Sequence, residues 1–281
     1  NIALGTGALQ ELTTGLENLA IGRAALNSVT TQNRNIAMGY FAGSSMTGAS
    51  AEFNVFIGDY SGVGGSGNLK RSVAVGYQTL SNTAGNDVDG AIAIGYQALN
   101  DLTSGDNNIA IGKSTGDNIT TTSGTISIGT GALGGITTSG DYTIAIGYGA
   151  MGGAEIGDGN IAIGYQSMQN ANASGLHRNT ALGYQTMANV GSNGAQDNTI
   201  IGYHAGQDVT SAVHNTLIGS EAGHNLTTGD YNTIIGSAAA SQNAGTYQYN
   251  VAVGYEAGKG FSDCPGTVSY THLRAHETYP H

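Results

Sequence analysis

Fifteen glycines, each closing a short apolar run, recur along this chain at intervals of 17 to 19 residues: Gly5, Gly22, Gly39, Gly58, Gly76, Gly95, Gly112, Gly129, Gly147, Gly164, Gly183, Gly202, Gly219, Gly236 and Gly254. The run reads Asn, β-branched, Ala, aliphatic, Gly, as in Asn160-Ile161-Ala162-Ile163-Gly164. A fixed period of this length is the mark of a solenoid, in which each repeat is one coil stacked on the next. With 47 glycines, a helical solenoid is disfavoured, because glycine in a helix interior costs about 0.5–1 kcal/mol relative to alanine. The expected fold is therefore all-β: a parallel β-solenoid of about 15 rungs over residues 1–260. At the ~4.8 Å spacing between strands, fifteen rungs make a rod about 70 Å long.

We number each rung from its glycine as position 0. Positions −3 and −1 are large aliphatics or threonine, position −2 is small, and side chains alternate across a strand. The −3 and −1 residues, including Ile2, Leu4, Ile36, Met38, Ile92, Ile94, Ile109, Ile111, Ile144, Ile146, Ile161, Ile163, Ile201, Ile218 and Ile235, are expected to form a ladder filling the interior of the coil. The −2 face is expected to meet another closely approaching surface. Four large residues at −2 (Phe56, Ile200, Leu217, Ile234) read as a local change in which face is better buried. Position −4 is Asn in eleven rungs, Asn160, Asn179, Asn198, Asn215 and Asn232 among them, which predicts an amide ladder holding the turn before each strand. Position +4 alternates between Leu or Met and Gly, which suggests a second strand or a corner. The polar segments beyond it, such as 226–230, are expected to be surface loops.

Position +1 is tyrosine in eight rungs, with the consecutive set Tyr148, Tyr165, Tyr184 and Tyr203. Stacked in register these form an aromatic column, and an exposed column is a natural platform for a sugar ring. It is the candidate receptor-binding feature. No catalytic, cofactor or metal site is expected. Gly112-Lys113-Ser114-Thr115-Gly116 matches a nucleophile-elbow spacing, but that chemistry needs a strand-to-helix turn with His and acid partners. His204, His214 and His224 sit at different offsets, so a metal site is not expected of them. The aspartates of the Gly-Asp pairs (Asp106, Asp117, Asp141, Asp158, Asp230) lack the dense spacing of calcium-binding β-rolls and read as turn residues. Net charge is −11 with only eight Lys and Arg, which disfavours nucleic acid and anionic membrane surfaces as partners. Residues 261–281 hold both prolines and the only cysteine, and read as a non-repeat tail, artefactual or disordered; 268–278 resembles a translated adapter sequence. The chain itself reads as a fragment of a longer protein.

The repeat Asn-Ile-Ala-Ile-Gly, and the longer Ala91-Ile92-Ala93-Ile94-Gly95-Tyr96-Gln97-Ala98-Leu99 followed by a polar loop, resembles the head repeats of YadA-type trimeric autotransporter adhesins. It is also similar to repeats of bacteriophage tail fibres. The resemblance spans residues 1–260 and implies a left-handed β-roll, a homotrimer, an extracellular place on a cell surface or virion tail, and attachment to a surface glycan or protein receptor. The alternatives are a tail-fibre shaft acting as a structural spacer, an ice-binding solenoid using Thr180, Thr199, Thr216 and Thr233, or a β-helix polysaccharide depolymerase. An enzyme is not the expected reading.

Overall fold

The computed structural model describes residues 1–83, 85–135, 140–153, 155–170, 172–173, 175–191, 194–242, 246–259, 261 and 266–270. Among these there is no helix. One three-residue strand at positions −3 to −1 of every rung builds a single parallel sheet whose strand order follows the chain from Ile2–Leu4 to Val251–Val253. Equivalent residues pair throughout, Ile144 with Ile161 and Ala145 with Ala162, for example. Val268–Tyr270, which sequence reading placed outside the repeat, pairs in parallel with Val251–Val253 and adds a sixteenth strand. Two further two-stranded parallel sheets, Leu69–Lys70 with Val88–Asp89 and Glu155–Ile156 with Asn172–Ala173, lie on another side of the coil.

The direction of the side chains reverses the expectation. The small −2 residues point into the coil: Ala20, Ala37, Ala93, Ala145 and Ala162 are fully buried. The −3 and −1 aliphatics point out, so the ladder from Ile2 and Leu4 to Ile235 lies on the outer surface, and Ile36, Met38, Ile94, Ile111 and Ile235 are more than a third exposed. The reason is parity together with volume. The −4 asparagines are buried inside the coil (Asn160, Asn179 and Asn198 at 0–1% exposure), and a strand that turns −4 inward also turns −2 inward. Across the narrow lumen the alanines face the +4 leucines and methionines, Leu26, Leu80, Leu99, Leu133, Met151, Met168 and Met187, all buried. The lumen has no space left for two more large side chains per rung.

Three of the four large residues at −2 follow from the same volume limit, while the fourth, Ile234, is buried in a rung that carries Ala240 at +4. Phe56, Ile200 and Leu217 are buried, and their rungs carry glycine at +4, at Gly62, Gly206 and Gly223. A Cβ on Gly62 would lie 2.3 Å from the Phe56 ring, and one on Gly206 would lie 2.9 Å from both Ile200 and Leu217. Large and small residues exchange sides across the lumen, and the same face stays buried. A third lumen position, +7, is filled by Val29, Met46, Leu102, Ile119, Val209 and Leu226, none more than 1% exposed. Leu226 thus belongs to the core and not to a polar loop.

The glycine column is a close backbone contact that runs the length of the stack. Gly164 has φ +136°, and a Cβ there would lie 2.1 Å from the carbonyl oxygen of Gly183. The remaining corners use ordinary residues in the left-handed region: positions −5, +2 and +4 carry leucine, glutamine, tyrosine and others at φ +47° to +61°. Each such residue costs roughly 1–2 kcal/mol, so the corners persist because the stacked rungs over-determine them.

Candidate functional site

From Asn160 to Asn250 the buried asparagines form a continuous internal column. In Asn179 the backbone N–H and the side-chain amide both donate to Asn160 Oδ1, at 3.0 and 3.1 Å, and the amide also donates to the Ala195 carbonyl at 2.8 Å. The pattern repeats through Asn198, Asn215, Asn232 and Asn250. These side chains are spent on holding rungs together, so they offer nothing to a ligand.

The +1 tyrosines do stack. Tyr148, Tyr165, Tyr184 and Tyr203 have successive ring centroids 5.5, 4.9 and 5.5 Å apart, with planes within 19° of parallel, and all four are exposed. A shorter stack, Tyr77 on Tyr96, lies further toward the N-terminus. Beside the long column runs a row of +2 glutamines, in which Gln185 donates to Gln166 at 2.8 Å. A second aromatic row, at position −5, was not anticipated: His214, Tyr231 and Tyr249 stack at 4.9 and 5.1 Å. Its sequence signal was weak because other rungs place arginine, aspartate or asparagine there.

Between the two tyrosine stacks position +1 holds Lys113 and Thr130, and here the surface opens into a cleft of about 340 Å³. Its origin is visible in the sequence. Two consecutive rungs carry glycine at +2, +5 and +6: Gly131, Gly134 and Gly135, then Gly149, Gly152 and Gly153. Three side chains are missing from each. Tyr148 lines one side, Ser114 closes the N-terminal end, and Gln169 and Asn170 close the other. Sequence reading missed these polar residues because none belongs to a repeated motif.

The other predicted chemistry is separated or consumed. Gly112 is a rung glycine and Gly116 lies against Leu99 and Ile119 in the lumen, so Ser114 sits on no strand-to-helix elbow. His204 and His224 approach to 6.0 Å, while His214 lies in the −5 row. No cluster of three metal-ligating side chains occurs among the described residues. Burial, aided by His224, lowers the His204 pKa. Asp106, Asp141, Asp158 and Asp230 each accept a backbone N–H from the preceding rung at 2.8–3.0 Å, which commits an oxygen of each to the turn. Asp117 differs: burial raises its carboxyl above the usual range. Arg178 forms a two-pronged pair with Asp197 at 2.7 and 2.8 Å, and this hydrogen bonding holds the Asp197 carboxyl below its ordinary value. The four threonines Thr180, Thr199, Thr216 and Thr233 pair in register on the outer face, one per rung beside the −1 aliphatics. No helix among the described residues is long and apolar enough to cross a membrane.

No protein-family profile, curated protein or solved structure matches this chain.

Proposed function

We propose that this chain is a non-enzymatic fibre or adhesin-head module, extracellular on a cell surface or virion tail, which self-associates as a homotrimer of left-handed rolls and carries a receptor-binding surface on its flanks. The observation behind the reading is the outward aliphatic stripe. Two outward side chains per three-residue strand and fifteen rungs tall, it covers on the order of 700 Å² (about 70 Å by ~10 Å). Typical monomers expose no apolar patch beyond about 300–600 Å². One continuous stripe per roll suits a closed ring, in which three copies turn their stripes to a common axis and leave their other sides free. The polar corners and the tyrosine column then remain available to a surface glycan or protein.

Sedimentation equilibrium tests this reading. The expected mass is three times the 28.3 kDa of one chain. Replacing Ile146 and Ile163 together with aspartate, on adjacent outward rungs, is expected to lower the assembled fraction while leaving the β-signature in circular dichroism. A parent chain that stays monomeric at high micromolar concentration refutes the self-association, and with it the module's assembly as a fibre.

A further inference from the structure

We infer that the cleft beside Tyr148 is a binding site for an uncharged pyranose ring, as found at the end or branch of a neutral surface glycan. The inference deepens the receptor-binding reading and is independent of the number of copies in the assembly.

At position +2 the cleft does not follow from backbone necessity, whereas a Cβ on Gly134 or Gly135 would lie 3.0 or 2.7 Å from a backbone oxygen. Gly131 and Gly149 occupy position +2 at φ +66° and +60°. At the same position other rungs carry Gln78, Gln97, Gln166 and Gln185 at φ +48° to +54°. The turn therefore accepts a long side chain in this conformation. Space does not demand glycine either: a Cβ on Gly131 meets nothing within 4 Å, and one on Gly149 meets only the Gln166 side chain, at 3.7 Å. At these two rungs the fold leaves room that glutamine fills elsewhere.

What surrounds that room suits a sugar. Tyr148 is 57% exposed against 40% for Tyr165 and 43% for Tyr184. Tyr165 covers one face of its ring, and no tyrosine of the preceding rung covers the other, because +1 there is Thr130. An aromatic face that no other ring covers, beside a polar rim, matches the apolar C–H face and hydroxyl edge of a pyranose. The rim is supplied by Ser114, Gln169 and Asn170, the Ser114 hydroxyl also reaching the Asp117 carboxyl. Asn170 is held in place: its Nδ2 donates to Asn189 Oδ1 at 3.2 Å, and Asn189 donates to Asp208 at 2.8 Å. That fixes the Asn170 amide and leaves its carbonyl oxygen to accept from a hydroxyl. None of the described lining residues is charged, which disfavours sialic and uronic acids. The volume falls at the small end of small-molecule sites, ~300–1,000 Å³.

The test is saturation-transfer NMR and titration on the whole chain with methyl glucoside, methyl galactoside, lactose, cellobiose and sialyllactose. Neutral sugars are expected to bind in the millimolar range. Gly149→Gln, which installs a side chain the same corner already carries in four other rungs, is expected to weaken binding at least about tenfold, or ~1.4 kcal/mol, with an unchanged melting temperature. Tyr148→Ala is expected to do the same, and Tyr203→Ala, three rungs away, to leave binding intact. If Gly149→Gln fails to fold, Gly131→Gln takes its place. Undiminished binding in the filled variants, no binding of any neutral sugar by the parent chain, or preference for sialyllactose each overturns the assignment. Sedimentation of the same samples keeps a failure here distinct from a failure of self-association.

Discussion

Removing one amide from the interior column should cost more than most core truncations. The Asn198 side chain makes four hydrogen bonds: Nδ2 donates to Asn179 Oδ1 at 2.9 Å and to the Ala212 carbonyl at 2.7 Å, and Oδ1 accepts the backbone and side-chain N–H groups of Asn215, each at 3.0 Å. Asn198→Leu leaves the Asn215 N–H, the Asn215 amide and the Ala212 carbonyl short of partners inside the coil. Each orphaned buried group costs about 1–3 kcal/mol, so the sum is ~3–5 kcal/mol after partial relaxation. Asn198→Asp adds a pH signature. Burial beside carbonyl oxygens raises the carboxyl pKa in the folded chain above its unfolded value of about 3.9. The protonated acid replaces the lost donor, so the variant is closest to the parent below that value. Its deficit grows as pH rises through the folded pKa and is constant above it. The assay is urea unfolding from pH 3 to 8, with hydrogen exchange read at Thr199–Ile201 and Thr216–Ile218. A loss under 1 kcal/mol for the leucine variant, or a deficit in the aspartate variant that shrinks as pH rises, refutes the account of the column.

Three other outcomes follow from the same geometry. Gly164→Ala, whose Cβ would sit 2.1 Å from the Gly183 oxygen, should lose ~4 kcal/mol by calorimetry or fail to fold, because the obstacle is backbone and the φ is one only glycine adopts freely. Gly206→Leu should overfill the lumen and cost about 1–3 kcal/mol; Ile200→Ala in the same chain should recover part of that, and a double-mutant cycle showing no coupling would sink the volume-exchange argument. Burial lowers the His204 pKa in the folded chain, so its contribution to stability is present above the unfolded value near 6.5 and is lost as pH falls toward the folded value; His204→Gln should flatten the melting temperature between pH 7 and 5.

The period gave the architecture almost completely, because the glycine every 17 to 19 residues is a backbone requirement and appears in the sequence undisguised. The facing of the strand was not legible from amphipathicity alone. Ile161 and Ile163 look like core and Ala162 like a contact surface until Asn160 is counted with them; its parity, together with the bulk of Met168 across the lumen, puts alanine inside. The lumen rule was present in two separate observations, glycine at +4 and bulk at −2, whose meaning appears only when Phe56 is seen against Gly62. The cleft was legible as two rungs of glycine, Gly131 to Gly135 and Gly149 to Gly153, but a missing side chain gives no signal in a motif search. Its polar rim, Ser114, Gln169 and Asn170, comes from rungs on either side, and only stacking brings them to one place.

Because each glycine meets the next one's carbonyl in the same way, neighbouring rungs recognise each other by main chain more than by side chain. A unit can therefore be duplicated or excised between two such junctions with little cost to the rest. Each copy gained would lengthen the rod by ~4.8 Å. The reach of such a protein is a quantity that gene duplication and recombination can adjust in whole steps, while an open recess like the one at Tyr148 travels unchanged to a new height.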